Sequence, residues 1–412
     1  FQRNGYNMPL EFVDKPKLLG GLTLNIVVLG IVSFLTDVSS EMVFALLPFF
    51  MVSVLGIGMT FVGLIEGAAE STASILKVFS GWFSDKIGKR KPLVAVGYSV
   101  STVSKPFFAF ATLPVHVFII RIMDRVGKGI RTSPRDALVA DSVDARVRGK
   151  AYGLHRSMDT LGAVIGPLLA FLLFPLAWYT GVFLLSVVPA AAAVILLLIL
   201  VKEKGRVKSA DNVPSVRFQF KSLNREFKIF LFVVTIFTLS NFSYAFFLLR
   251  ARDLGIPAQY APLLYLIFNL VYALCALPVG MLADEIGKKP VMALGYVAFG
   301  ITCLGFAYAS QPLHAVILFI AYGIFFAITD TVQRAIVPDL VTSEFRGTAF
   351  GMLHTAIGLA AFPASFIAGT LWQLFGSTTP FMLGAIISFI STVLFLTFIP
   401  EKGIQIESAK NR

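Results

Sequence analysis

The sequence predicts an all-α integral membrane protein whose twelve transmembrane helices are arranged as two six-helix bundles. Three observations predict it. Of the 412 residues, 57% are hydrophobic and only 14% charged, with a mean hydropathy of +0.81, well outside the range of soluble domains. A basic turn, Gly81 to Pro92, recurs as Gly280 to Pro290, with Asp85 and Asp284 199 positions apart. The Lys and Arg residues are also unevenly placed. Of 35, 24 fall in residues 1–21, 85–92, 141–150, 202–228, 284–290, 339–348 and 400–412. Only Arg250 and Arg252 lie in the opposite loops. That bias places both termini and the basic turns on the cytoplasmic side.

Taken in order, the apolar runs predict helices over 22–47, 58–81, 92–112, 115–138, 149–174 and 178–201, and then over 227–250, 258–283, 290–309, 312–336, 347–374 and 378–399. Each is long enough, or nearly so, to cross about 30 Å of hydrocarbon as a helix. The chain divides into an N-terminal bundle over 1–201, a basic cytoplasmic linker over 202–226 and a C-terminal bundle over 227–412. A second repeat anchors the division. Asp141, Arg148, Gly149, Ala151 and Gly153 match Asp339, Arg346, Gly347, Ala349 and Gly351 at an offset of 198. One residue lost in the second basic turn accounts for the change from 199, so the halves align throughout and share one topology.

The net charge of +12 does not indicate nucleic acid, because the basic residues follow the loops and not one face. Cys275 and Cys303 fall in apolar spans, with neither disulfide nor metal-site spacing. The first twenty residues lack the order of a signal peptide, so the first span is expected to insert uncleaved. No hydrolase order, metal motif or phosphate loop stands out, and no metal or cofactor is expected.

The doubled Gly-x-x-x-Asp-x-x-Gly-basic turn, the six-plus-six layout and the basic middle loop resemble the major facilitator superfamily over essentially the whole chain. The resemblance implies transport by alternating access. It assigns a conformational latch to Gly81, Asp85, Gly88 and Lys89 or Arg90, with Asp141 as partner, and its second copy to Asp284 and Gly287. The segment Gly162-Ala-Val-Ile-Gly166-Pro167 with Ala170 is similar to the helix-five motif of the drug and proton antiporters, which implies export. Arg121 matches the arginine opening the family's helix-four motif. Arg125 stands where that motif has its first Gly, and Gly127 keeps the second.

Independently of any family, Arg121, Arg125, Lys128 and Arg135 fall on one stripe of the fourth predicted helix. Four cations cannot face lipid at about 2.5–3.5 kcal/mol each, so the stripe faces water or carboxylates. Asp37 with Glu41, and Glu66 with Glu70, are i, i+4 pairs on helices one and two. Carboxylates so placed repel one another, which favours reversible proton uptake; permanent ion pairs with Lys77, Lys105 and the stripe are the alternative. Proton coupling is therefore expected of Asp37, Glu41, Glu66 and Glu70, with Asp124 beside the stripe assigned to it as well; for Arg121 a part in proton transfer is what the resemblance to the family's helix-four motif implies. Substrate contact is expected of Arg125, Lys128, Lys105 and Asp159 in the ionic first half, and of Asn241, Tyr244, Tyr265, Asn269 and Asp330 in the aromatic second half.

The resulting expectation is a monomeric secondary transporter in a bacterial or archaeal cytoplasmic membrane. It moves a small charged or amphipathic organic solute, with the proton gradient as driving force and export as its direction. A proton symporter or exchanger for an organic anion is the alternative.

Overall fold

The computed structural model describes residues 17–18, 22–143, 147–203, 224–342 and 346–399. Most of the expected basic linker, residues 204–223, lies outside them, as do both ends of the chain. Two short strands, Lys17–Leu18 and Leu22–Thr23, pair antiparallel ahead of the first helix, and Thr23 Oγ1 donates to the Ser142 carbonyl at 3.0 Å. Everything else regular is helical.

The first half contains α1 (Leu24–Phe44), α2 (Met59–Ile87), α3 (Lys91–Ser104), α4 (Pro114–Asp141), α5 (Arg148–Leu185) and α6 (Val187–Leu200). The second contains α7 (Arg225–Ser240), α8 (Tyr244–Asp253), α9 (Ala261–Ile286), α10 (Lys288–Tyr308), α11 (Pro312–Leu340), α12 (Arg346–Phe375) and α13 (Thr378–Phe398). Among the described residues, nine helical segments are long and apolar enough to cross a membrane. One of them, Arg148–Leu200, runs for 53 residues and is broken at Trp178, where φ is 52°. Helices α2 and α4, at 29 and 28 residues, have the length but are not among those nine.

Four boundaries differ from the sequence expectation, each for a local reason. The span expected over 227–250 is not continuous: it breaks at 241–243, where Asn241 ends α7 and Ser243 caps α8 by accepting from the Ala245 amide at 3.3 Å. The charged turn expected from Gly81 begins later, because α2 continues to Ile87 and the chain reverses at Gly88, whose φ of 71° suits glycine. Helix α1 is extended past Pro48 by a π-helical turn, Phe50–Val54. Helix α3 tightens into a 3₁₀ segment, Lys105–Phe110, where Pro106 removes a backbone donor.

Within the first half, α1 packs on α5 and α6, and α4 packs on α2 and α3; in the second, α9 packs on α11, and α10 on α11 and α13. The halves meet along two helix pairs, α2 with α12 and α5 with α9. The α2–α12 contact is backbone on backbone. A Cβ at Gly63 would stand 2.2 Å from the Ser365 carbonyl oxygen, and one at Gly67 2.8 Å from that of Phe362. It extends to Ser71 Oγ, which donates to the Gly358 carbonyl, and to Ser74, whose Cβ a Cβ at Gly358 would meet at 2.0 Å. Towards the basic turns, Gly149 and Gly153 of α5 and Gly351 of α12 have nothing within 4 Å of a would-be Cβ. The two bundles are thus zipped by close backbone contact at the end away from the basic turns, while the glycines nearest those turns face open space, which we read as a splay between the bundles.

Candidate functional site

The site is built where α4 faces α1 and α2. Helix α4 threads a row of cations through the first half because its other face is small: Gly127 and Gly129 bring its backbone against α3 and α2. Arg121 is 2% exposed and Lys105 0%. Arg121 Nη2 donates to Glu66 Oε2 at 2.9 Å, and its guanidinium lies 3.9 Å from the Phe44 ring centroid. Arg125 stacks on the same ring at 4.7 Å and has Asp124 and Glu70 at 3.8 and 4.0 Å. Asp124 accepts from the Ser101 hydroxyl, and Lys105 Nζ donates to Ser39 Oγ at 3.0 Å. Ser33 donates to Asp159 and accepts from Arg135 at 3.0 Å. Most of these charges are held by one opposite charge, one ring or one hydroxyl, an arrangement with spare hydrogen-bonding capacity.

Two buried carboxylates retain such capacity and also meet the second half. Glu66 Oε2 accepts from Ser243 Oγ at 3.2 Å, while Oε1 has no hydrogen-bond partner among the described residues. Glu41 Oε2 is buried without a hydrogen-bond partner among the described residues, and the Tyr265 hydroxyl lies against the Glu41 carboxylate. Tyr244 donates to the Phe44 carbonyl at 3.3 Å and stands 4.9 Å from the Tyr265 ring. Asn269 donates to the Tyr265 carbonyl at 3.0 Å, so it holds its own helix turn and does not reach across. Asn241 is the residue at which α7 stops. The remaining aromatic supply is mostly packing, as in the stack of Phe247 on Tyr322 at 4.4 Å.

Nearer the basic turns the ionic groups are open to water. Side chains of Glu70, Asp136, Arg156 and Arg334 are 45–50% exposed. Charged groups at this depth do not face hydrocarbon, so they line an aqueous mouth between the splayed bundles. Asp330 accepts from Arg334 Nη2 at 2.7 Å and from Tyr272 at 2.6 Å, and Arg156 of α5 approaches it at 3.6 Å from the other half.

The residues expected to form the latch also come together. Arg90 Nη1 meets Asp141 Oδ2 at 2.7 Å and Arg90 Nη2 meets Asp85 at 3.3 Å, while Gly81 lies against Ser133 of α4. The Glu203 carboxylate accepts from the Arg90 and Lys91 amides. The second half repeats the pair as Lys288 with Asp339 at 2.6 Å. Asp284 and Glu285 are exposed beside it, and Gly287 turns the chain with φ 98°. In helix five, Gly162 and Gly166 let α5 press on α1, since added Cβ atoms would reach the Phe34 and Val38 carbonyls at 2.7 Å. Pro167 is buried beside them.

Sequence reasoning missed Ser33, Ser39, Ser101 and Ser243, the hydroxyls that satisfy the ionic groups. Serine inside an apolar run carries no signal of which charge it will meet, although Ser243 after Asn241 is a legible helix-start pair.

Comparison with known proteins agrees with this geometry. The chain is 38% identical over 384 residues to an uncharacterized MFS-type transporter of Methanocaldococcus jannaschii, spanning 91% of this chain and 95% of the relative. It is 30% identical over 154 residues to the multi-drug resistance efflux pump PmrA of Streptococcus pneumoniae, a match limited to 36% of this chain and 38% of the pump. A solved structure of a POT family transporter in complex with 5-aminolevulinic acid superposes with a TM-score of 0.80 at 13% identity, over 95% of this chain and 99% of that one, which shows the fold. The sequence model of the Major Facilitator Superfamily matches residues 29–249 and again residues 229–412, and the chain belongs to that superfamily of membrane transporters.

Proposed function

We propose that the protein is a secondary transporter with twelve membrane crossings, coupled to protons and working by alternating access as an exporter of small charged or amphipathic organic solutes. The twelve crossings are supported by the nine apolar segments, one of which, Arg148–Leu200, is long enough at 53 residues for two crossings, and by the two ionic helices α2 and α4. The observation that carries the coupling is the position of Glu41 and Glu66. Each belongs to the first half, has a buried oxygen without a hydrogen-bond partner, and is met by a hydroxyl of the second half. A proton on either carboxylate changes what it can accept and donate, and so changes the contact between the bundles. The basic-turn end, open here, is read as the cytoplasmic end from the placement of Lys and Arg.

Export as the direction is supported by the Gly162–Gly166–Pro167 contact and by the partial likeness to an efflux pump. In inside-out vesicles with an imposed pH gradient, solute accumulation is expected to collapse when an uncoupler is added. Accumulation unchanged by the uncoupler would defeat proton coupling.

A second reading, a symporter or exchanger for an organic anion, is favoured by one observation. Arg121, which shares Glu66 with the cap of α8, and Arg125 each have buried N–H groups with no hydrogen-bond partner among the described residues. Replacing Arg125 separates the two readings: an anion carrier loses binding, whereas an exporter of cations loses mainly coupling.

A further inference from the structure

The interruption between α7 and α8 places the start of a ten-residue helix in the middle of the molecule, facing the first half. The amide of its cap residue, Ser243, donates to the Ser365 hydroxyl oxygen at 3.1 Å, and the Ser243 hydroxyl donates to Glu66. A helix start carries partial positive charge and attracts an anion. On the opposite side of the same carboxylate oxygen stands Arg121, 2% exposed, with Phe44 covering one face of the guanidinium. Arg121 Nε and Nη1 are buried and have no hydrogen-bond partner among the described residues, so a guanidinium with five donors is served at one nitrogen. The arrangement is a cradle for an oxyanion, with more donors than the single carboxylate in it uses.

We propose that Arg121, Ser243 and the start of α8 form an oxyanion site. In this conformation the protein's own Glu66 fills it; when Glu66 withdraws, a carboxylate, sulfonate or phosphate group of the carried solute takes its place. The inference rests on the transporter reading in its organic-anion form and names the group such a solute must carry. It also explains why Glu66 bridges the halves: the solute's oxyanion would make the same two contacts, one to each bundle. Binding would therefore hold the bundles together at the zipped end, as Glu66 does in the solute's absence.

The test is chemical rescue of the purified full-length protein. Removing the side chain in E66A leaves Arg121 as a buried charge without a counter-ion, so the variant should melt below wild type. Sodium acetate, compared with sodium chloride at equal ionic strength, should raise the melting temperature of E66A by about 2–4 °C and leave wild type unmoved. Adding S243A should remove most of that recovery, and adding R121Q should remove all of it. Acetate that shifts both proteins equally, or neither, overturns the site.

Should E66A fail to fold, the isosteric E66Q provides a second measurement: benzoate should bind it about tenfold more tightly than it binds wild type at the same pH, and equal affinity overturns the site. Failure of the site and failure of the anion reading are distinguishable. A wild-type protein that carries no organic anion into proteoliposomes, with acetate recovery of E66A intact, overturns the anion reading and supports the site. Loss of recovery overturns the site even where anions are carried.

Discussion

Ser243, the residue that caps α8 in the second half, donates a hydrogen bond to Glu66 of α2 in the first, at 3.2 Å. The same Glu66 oxygen holds Arg121 at 2.9 Å, so one carboxylate ties the cation stripe of α4 to the broken helix of the other bundle. The ionic interior of one half and the contact between halves are therefore parts of one network.

That network is expected to respond to single and paired neutralisation very differently. R121Q leaves Glu66 buried without its cation and should cost about 3–5 kcal/mol, because an unpaired interior charge loses its solvation and gains nothing in return. The double variant R121Q/E66Q removes both charges and should regain most of the loss. Thermal unfolding of the purified proteins measures the cycle; additive losses would show that the two residues do not act as a pair.

The zipped end depends on glycine. G63V puts a branched side chain where even a Cβ stands 2.2 Å from the Ser365 carbonyl oxygen, and it should lower the melting temperature and abolish transport. G153A, at a position with nothing within 4 Å, should be neutral or stabilising by about 0.5–1 kcal/mol through helix propensity. Equal effects in the two variants would show that the α2–α12 approach is not the tight contact described.

A latch role for the two paired turns predicts rescue by exchange. Arg90 with Asp141, and Lys288 with Asp339, link the turn after α2 to the end of α4 and its repeat after α9 to the end of α11. D141N should reduce transport several-fold with little effect on membrane insertion, and R90D/D141R should recover part of what either single exchange loses. Uptake assays normalised to membrane-inserted protein check this, and equal loss of transport and insertion would reduce the turn to a topology signal.

The fold was legible in the sequence because repetition is visible without packing: two copies of the Gly81 to Pro92 turn and of the Asp141 to Gly153 segment define two halves whatever the helices do in detail. The cation stripe was legible as well, since Arg121, Arg125 and Lys128 follow helical spacing and cannot face lipid. What stayed hidden depends on contacts between distant segments. The break at 241–243 is marked only by Ser240, Asn241 and Ser243 in a run otherwise long and apolar enough to read as one helix, and the role of Ser243 appears only once Glu66, 177 positions earlier, is beside it. Asn269 illustrates the opposite case. A polar side chain at membrane depth can satisfy itself on the preceding turn, here at the Tyr265 carbonyl, and sequence does not distinguish the two outcomes.

The central claim is that two bundles pivot about a buried ionic site, open at the basic-turn end in the conformation described. Pulsed electron–electron distance measurement tests it most directly, on protein lacking Cys275 and Cys303, with spin-label pairs at Lys150 and Glu285 near the basic turns and at Val54 and Leu374 at the opposite end. All four positions are exposed, one of each pair in each half. On moving between acidic and alkaline buffer, the first distance is predicted to shorten as the second lengthens, in one correlated shift. Two distances that stay fixed at every pH and with every solute, or that change together in the same sense, would contradict it.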